Sequence, residues 1–92
     1  MSYALVFSKT AQQDLARHRK SGDKLVLKKL EKLLHELLEH PYTGTGKPEK
    51  LKHELQGLFS RRINKKHRLV YSVDDETKTI GVLSAAQHYG SK

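Results

Sequence analysis

The 92-residue chain contains no cysteine. That absence excludes disulfide staples, thiolate zinc sites and a thiol nucleophile, and it fits a reducing compartment. No long apolar run interrupts the sequence. The N-terminus lacks a charged segment followed by a hydrophobic one, so neither a signal peptide nor a membrane span is expected. The expected setting is the cytoplasm. Length is scarce too: one domain over residues 1–92 is expected, with a modest core and little room for a deep cofactor cavity.

Negative charge is rarest in the middle of the chain. The formal net charge is +8, and residues 44–68 carry +6 of it. Lys47, Lys50, Lys52, Arg61, Arg62, Lys65, Lys66 and Arg68 stand there against only Glu49 and Glu54. Positive charge concentrated in this way suits a polyanion such as nucleic acid, through counterion release and steering. A basic surface that serves only solubility has the same composition.

The pattern predicts an α+β fold: one mainly antiparallel sheet with two N-terminal helices packed on one face, in the order β-α-α-β-β-β. Tyr3 to Phe7 is rich enough in aromatic and β-branched residues for a buried strand. Ser8 can cap a first helix that runs to about Lys20. Gly22 tolerates a left-handed cap, and Asp23 can open a second helix. Along that helix Val26, Leu27, Leu30, Leu33, Leu34, Leu37 and Leu38 recur at three- and four-residue spacing, a stripe for core packing, and Pro41 lies beyond its end. Residues 42–50 are expected as a loop. Strands are predicted from Leu58 to Ile63, from His67 to Val73 and from about Lys78 to Gln87.

Two attractive motifs fail. Gly44-Thr45-Gly46-Lys47 lacks the phosphate-loop spacing, is followed by Pro48 and comes after a helix instead of a strand. A flexible approach to the sheet accounts better for its glycines. The six histidines make no metal site, because His35 and His40 are five apart and the His-Glu pairing of a zinc protease is missing. His18 and His35 are expected as solvated helix residues.

The hairpin carries more chemistry. If Asn64-Lys65-Lys66 is a three-residue loop, Ile63 faces His67 and Arg62 faces Arg68. Like charges opposed across a strand pair are destabilising, so such a pair points to a bound anion, with phosphate the natural candidate for guanidinium. A different loop length would put the arginines on opposite faces. Nearby, Glu49 sits among Lys47, Lys50 and Lys52 as a carboxylate able to act as general base. His88 can serve as general acid near neutral pH, and Tyr89 can stack on a base. Taken singly, a solvated loop carboxylate and a frayed C-terminus account for the same residues.

The stretch Gly46-Lys47-Pro48-Glu49-Lys50-Leu51-Lys52-His53, then Gly57-Leu58-Phe59-Ser60-Arg61-Arg62-Ile63, then His67-Arg68-Leu69-Val70-Tyr71, with His88-Tyr89 near the end, resembles the YoeB/Txe family of bacterial toxins within the RelE-like group. The resemblance covers essentially the whole chain. It implies a microbial-ribonuclease-like fold and a metal-independent endoribonuclease that cuts messenger RNA in the ribosomal A site. By resemblance, Glu49 is the base for the ribose 2′-hydroxyl, Arg68 stabilises the phosphorane-like transition state, and His88 protonates the leaving 5′-oxygen. Lys52, Arg62 and Tyr89 match positions that bind or orient RNA, and Lys47 and Arg61 of the same basic stretch are further RNA-binding candidates. No cofactor or metal is implied. The implied partners are mRNA, the ribosome and a YefM-like antitoxin, with operator DNA reached only through the antitoxin complex; a homodimer is also suggested. Phe59 stands where relatives often carry Trp, and Gly90-Ser91-Lys92 extend past the His-Tyr pair. Two alternatives differ in class: a non-catalytic toxin of the RelE/ParE fold, and a plain nucleic-acid-binding module using residues 44–68. The joint presence of Glu49, Arg68 and His88 argues against the first.

Overall fold

A computed structural model describes residues 2–46, 48–51 and 56–86. The chain runs β1 (Ala4–Phe7), α1 (Lys9–Ser21), α2 (Lys24–Leu37), β2 (Glu49–Lys50), β3 (Leu58–Arg62), β4 (Arg68–Asp74) and β5 (Thr79–Ser84). The sheet order is β1-β5-β4-β3-β2. Only β1 and β5 pair in parallel; the other neighbours are antiparallel. This is the expected α+β arrangement with one more strand, because β2 falls inside the segment expected as a loop.

The helix ends follow their capping residues. The Ser8 hydroxyl accepts from the Ala11 amide at 3.0 Å and starts α1. Gly22 closes it at φ 72°, and the Asp23 carboxylate opens α2 by accepting from the Val26 amide at 3.2 Å. Val26, Leu30, Leu33 and Leu37 of α2 are buried against Leu69, Tyr71, Ile80 and Val82 of the central strands, while Leu27, Leu34 and Leu38 are half-buried. This packing is the main apolar stabilisation of the fold.

Two expectations are corrected. The N-terminal strand is not buried. Among the described residues it pairs with β5 alone, at the end of the sheet; Ala4 and Val6 are exposed while Leu5 and Phe7 pack on the core. His18 is not solvated. It is 6% exposed, and its Nε2 donates to the Ala85 carbonyl at 2.7 Å. His35 is exposed, as expected.

The loop that follows α2 is tied to β3 as far as Gly46. Gly46 accepts the Arg62 amide at 2.8 Å. Its φ is +86°, and a Cβ there would lie 2.8 Å from the Arg62 carbonyl oxygen. Gly22 has a similar φ of +72° but open space around it. Both positions strain a side-chain-bearing residue by about 1–2 kcal/mol, and Gly46 adds a collision with backbone. Gly46→Ala is therefore expected to destabilise the protein clearly more than Gly22→Ala. Urea unfolding of the two variants checks this, and equal midpoints would mean that the loop yields without cost.

Candidate active site

The β3–β4 hairpin sets the site. The Asn64 side-chain oxygen accepts from the Lys66 and His67 amides at 2.9 and 2.7 Å, which fixes a short turn. The Ile63 and Asn64 amides both reach the His67 carbonyl. The three-residue register follows, and Arg62 stands opposite Arg68. On the other side of β3, Glu49 pairs with Ser60, two residues from Arg62. Alternation along β3 and pairing across it therefore place Glu49, Ser60, Arg62 and Arg68 on one face of the sheet. The helices cover the opposite face, where Leu69 and Tyr71 point.

The carboxylate and one guanidinium meet directly. Glu49 Oε1 lies 3.7 Å from Arg68 Nη1. The Glu49 side chain is 65% exposed and that of Arg68 only 16%. A solvent-facing acceptor thus sits against a more enclosed cation, with a second cation across the hairpin. Such a surface can take a proton from a hydroxyl while holding a phosphate beside it.

Arg61 is corrected as an RNA-binding candidate: its side chain has no exposed surface to offer a ligand. It is fully buried on the helix side of β3. Nε donates to the Tyr71 hydroxyl at 3.2 Å and Nη1 to Glu36 Oε1 at 3.0 Å. Nη2 donates to the carbonyls of Thr43, at 2.7 Å, and His40. The Tyr71 hydroxyl in turn donates to the Pro41 carbonyl at 2.7 Å. Glu36 also accepts the Thr45 amide and hydroxyl at 2.8 and 2.6 Å. These bonds, led by the Thr45 hydroxyl and including the charges of Arg61 and Lys32, hold the Glu36 carboxyl below its usual range against the opposing effect of burial. Arg61 is the post to which the 40–45 loop is strapped, and the strap leads into Glu49.

Neighbouring contacts have the same positioning role. The Tyr3 and Tyr42 hydroxyls both donate to Asp75, at 2.5 and 2.6 Å, joining the N-terminus and the loop to the β4–β5 turn. The Asp75 bond is the main cause that pushes the Tyr42 phenol up to about 12. Phe59 packs between Tyr42 and Tyr71, with ring centroids 5.3 and 5.7 Å away, so its difference from Trp concerns packing.

Glu49, Arg62 and Arg68 are thus brought together, and Arg61 is not. Lys47, Lys52, His88 and Tyr89, with the expected strand end at Gln87, lie outside the described residues. Sequence reasoning passed over Ser60, whose hydroxyl is buried and, among the described residues, has no hydrogen-bond partner, as is the case for Ser84. Alternation along the expected strand from Leu58 to Ile63, which puts Ser60 on the same face as Arg62, was the available signal. Among the described residues no group of three or more His, Cys, Asp or Glu side chains is placed to hold a metal.

The helix pair on a mainly antiparallel sheet, with a carboxylate and two arginines on the face away from the helices, defines a protein of the RelE-like toxin fold. At 17% identity, YafQ from Escherichia coli shares the fold alone, with a TM-score of 0.77. The sequence model of the "YoeB-like toxin of bacterial type II toxin-antitoxin system" family matches residues 7–89, and the chain belongs to that family. It is similar to toxin YoeB of Escherichia coli K12, 45% identical over 67 residues, which are 73% of this chain and 77% of that one. A YoeB/ParE toxin structure from Agrobacterium tumefaciens superposes with a TM-score of 0.87 at 31% identity, covering 94% of this chain and 99% of the other. Two Staphylococcus aureus structures each cover 97% of this chain and 100% of theirs: a YoeB dimer, at 41% identity and TM-score 0.81, and a YoeB–YefM complex, at 40% and 0.79.

Proposed function

We propose that this toxin is a metal-independent endoribonuclease that cuts mRNA in the ribosomal A site. The observation that carries the reading is the 3.7 Å approach of Glu49 to Arg68 on a face shared with Arg62, in a chain of the YoeB-like family. Glu49 takes the proton of the ribose 2′-hydroxyl, whose oxygen attacks the adjacent phosphorus. Arg68 stabilises the charge that builds on the phosphoryl oxygens. His88 gives a proton to the 5′-oxygen as the bond from phosphorus breaks. The products carry 2′,3′-cyclic phosphate and 5′-hydroxyl ends. Arg62, Lys52, Lys47 and Tyr89 bind or orient the RNA. The ribose supplies the nucleophile, so the protein needs only a base, an acid and positive charge at the phosphate.

The same reading assigns partners. A YefM-like antitoxin restrains the toxin, as the Staphylococcus aureus YoeB–YefM complex supports, and operator DNA is reached only through that complex. The dimer of the relative supports a homodimer. The ribosome and mRNA place the action in the cytoplasm, and no helix of the described residues is long and apolar enough to cross a membrane. Cleavage of free RNA is expected to survive EDTA, and His88→Gln is expected to slow it by about 10²-fold, the scale of a lost general acid. Ribosome-dependent cutting is measured separately with magnesium present to keep ribosomes intact. A strict need for an added divalent ion in the ribosome-free assay would sink the mechanism. Binding without cutting in either assay would favour the plain nucleic-acid-binding alternative.

A further inference from the structure

Helix α1 holds the far end of β5 by two polar side chains that the proposed reaction does not use. Asp14 and His18 are four apart and so lie on one face of the helix. Both are buried, at 5% and 6% exposure. Asp14 Oδ2 accepts the Ala85 amide at 2.9 Å, and His18 Nε2 lies 2.7 Å from the Ala85 carbonyl. A carbonyl only accepts, so the hydrogen is on Nε2. Ala85, itself fully buried, follows the last ladder residue, Ser84. Both of its backbone groups are thus held by one helix instead of by a strand. The His18 ring also stands edge-on to His67, with centroids 4.7 Å apart. Water or a backbone turn could have satisfied Ala85. Burying a carboxylate and an imidazole is a costly substitute for either, and its effect is to set the direction in which the chain leaves the sheet.

Three residues beyond Ala85 comes His88. We infer that Asp14 and His18 are positioning residues for RNA cleavage, acting through Ala85 on the segment that carries the general acid. The inference rests on the reading of His88 as that acid. Small displacements of a catalytic group lower the rate steeply without changing substrate affinity in proportion. The clamp therefore affects the protonation of the 5′-oxygen more than it affects RNA binding, to which Tyr89 of the same segment adds only one of several contacts.

The decisive experiment compares two substrates under single turnover on ribosomes. One is ordinary RNA. The other carries sulfur in place of the bridging 5′-oxygen at the scissile bond, and its thiolate leaves without a proton. His18→Phe keeps a ring and removes the donor; it is expected to cut ordinary RNA about tenfold more slowly, with a smaller loss of RNA affinity because only Tyr89 shares the segment with His88. On the sulfur substrate that deficit should largely vanish. His18→Gln, which returns an N–H near the same place, should recover most of the rate, and Asp14→Asn, which keeps an acceptor, should resemble the parent. If His18→Phe does not fold, His18→Asn, polar but too short to reach the carbonyl, takes its place. A folded His18→Phe as fast as the parent on ordinary RNA overturns the inference. So does a variant equally slow on both substrates, which marks a merely structural role. His88→Gln is run alongside. Should it cut ordinary RNA at the parent rate, the assignment of the acid fails and the inference with it; should it be slow while His18→Phe is not, the clamp alone fails.

Discussion

Arg61→Met is expected to destabilise the fold by about 3 kcal/mol, a large share of the total for a domain of this size. The guanidinium is fully buried and holds Glu36, Tyr71 and two carbonyls of the 40–45 loop at once. Methionine fills similar length but leaves Glu36 without its counter-charge and removes the donors to the Thr43 and His40 carbonyls. Removing one partner of a buried ion pair costs about 3–5 kcal/mol; the lower end applies because Glu36 keeps some contact with solvent. Arg62→Met is the control one residue on. Arg62 is exposed and opposes Arg68, so its loss should change stability by no more than about 0.5 kcal/mol. RNA binding should reverse the order. Arg62→Met should flatten the salt dependence by about one phosphate contact, and folded Arg61→Met should not. Urea unfolding and salt-dependent binding of both variants decide it, and equal destabilisation would show that the loop is not held by Arg61.

Acid should loosen the same strap. The folded-state pKa of Glu36 is lowered, chiefly by the Thr45 hydroxyl. A carboxyl with a lowered folded pKa stabilises the protein above its unfolded value, near 4.5. That contribution is lost as pH falls through the folded value. Glu36→Gln should accordingly be less stable than the parent at neutral pH and lose less of its stability on acidification.

The Arg61 correction shows what the sequence could tell and where it was misread. The short turn at Asn64 set the Arg62–Arg68 pairing, and with it the face that carries the site. Once Arg62 faces Arg68 on the side away from the helices, strand alternation sends Arg61 to the helix side. Counting both arginines as one basic patch ignored that alternation. The caps at Ser8, Gly22 and Asp23 were legible because each supplies a specific donor, acceptor or φ. Strand β2 was not, since two charged residues carry no hydrophobic period; its pairing is set by the strap on Arg61 and the close approach of Gly46. Nor was the burial of His18, because the partner it satisfies is a backbone group 67 residues away. The roles of Glu49 and Arg68 came from family resemblance, to which their contact adds geometry.

That contact makes opposite predictions for its two members. Glu49→Gln removes a negative charge from beside Arg68, so RNA should bind as well as before or better. The amide cannot take the 2′-hydroxyl proton, however, and the cleavage rate should fall by about 10²-fold or more. Arg68→Ala removes positive charge aimed at the phosphate. Affinity and rate should both drop, and the rate should drop more, because charge grows on the phosphoryl oxygens in the transition state. Arg68→Lys should recover affinity but little rate, since a point charge lacks the guanidinium fork. Stability should change little in Glu49→Gln, because a partner that is 65% exposed gains little from the pair. Single-turnover cleavage, equilibrium RNA binding and urea unfolding of the three variants separate these effects. Should Glu49→Gln cut RNA at the parent rate, the carboxylate is a bystander and the base lies elsewhere. Should it bind RNA more weakly, Glu49 serves to orient Arg68 and not to take a proton.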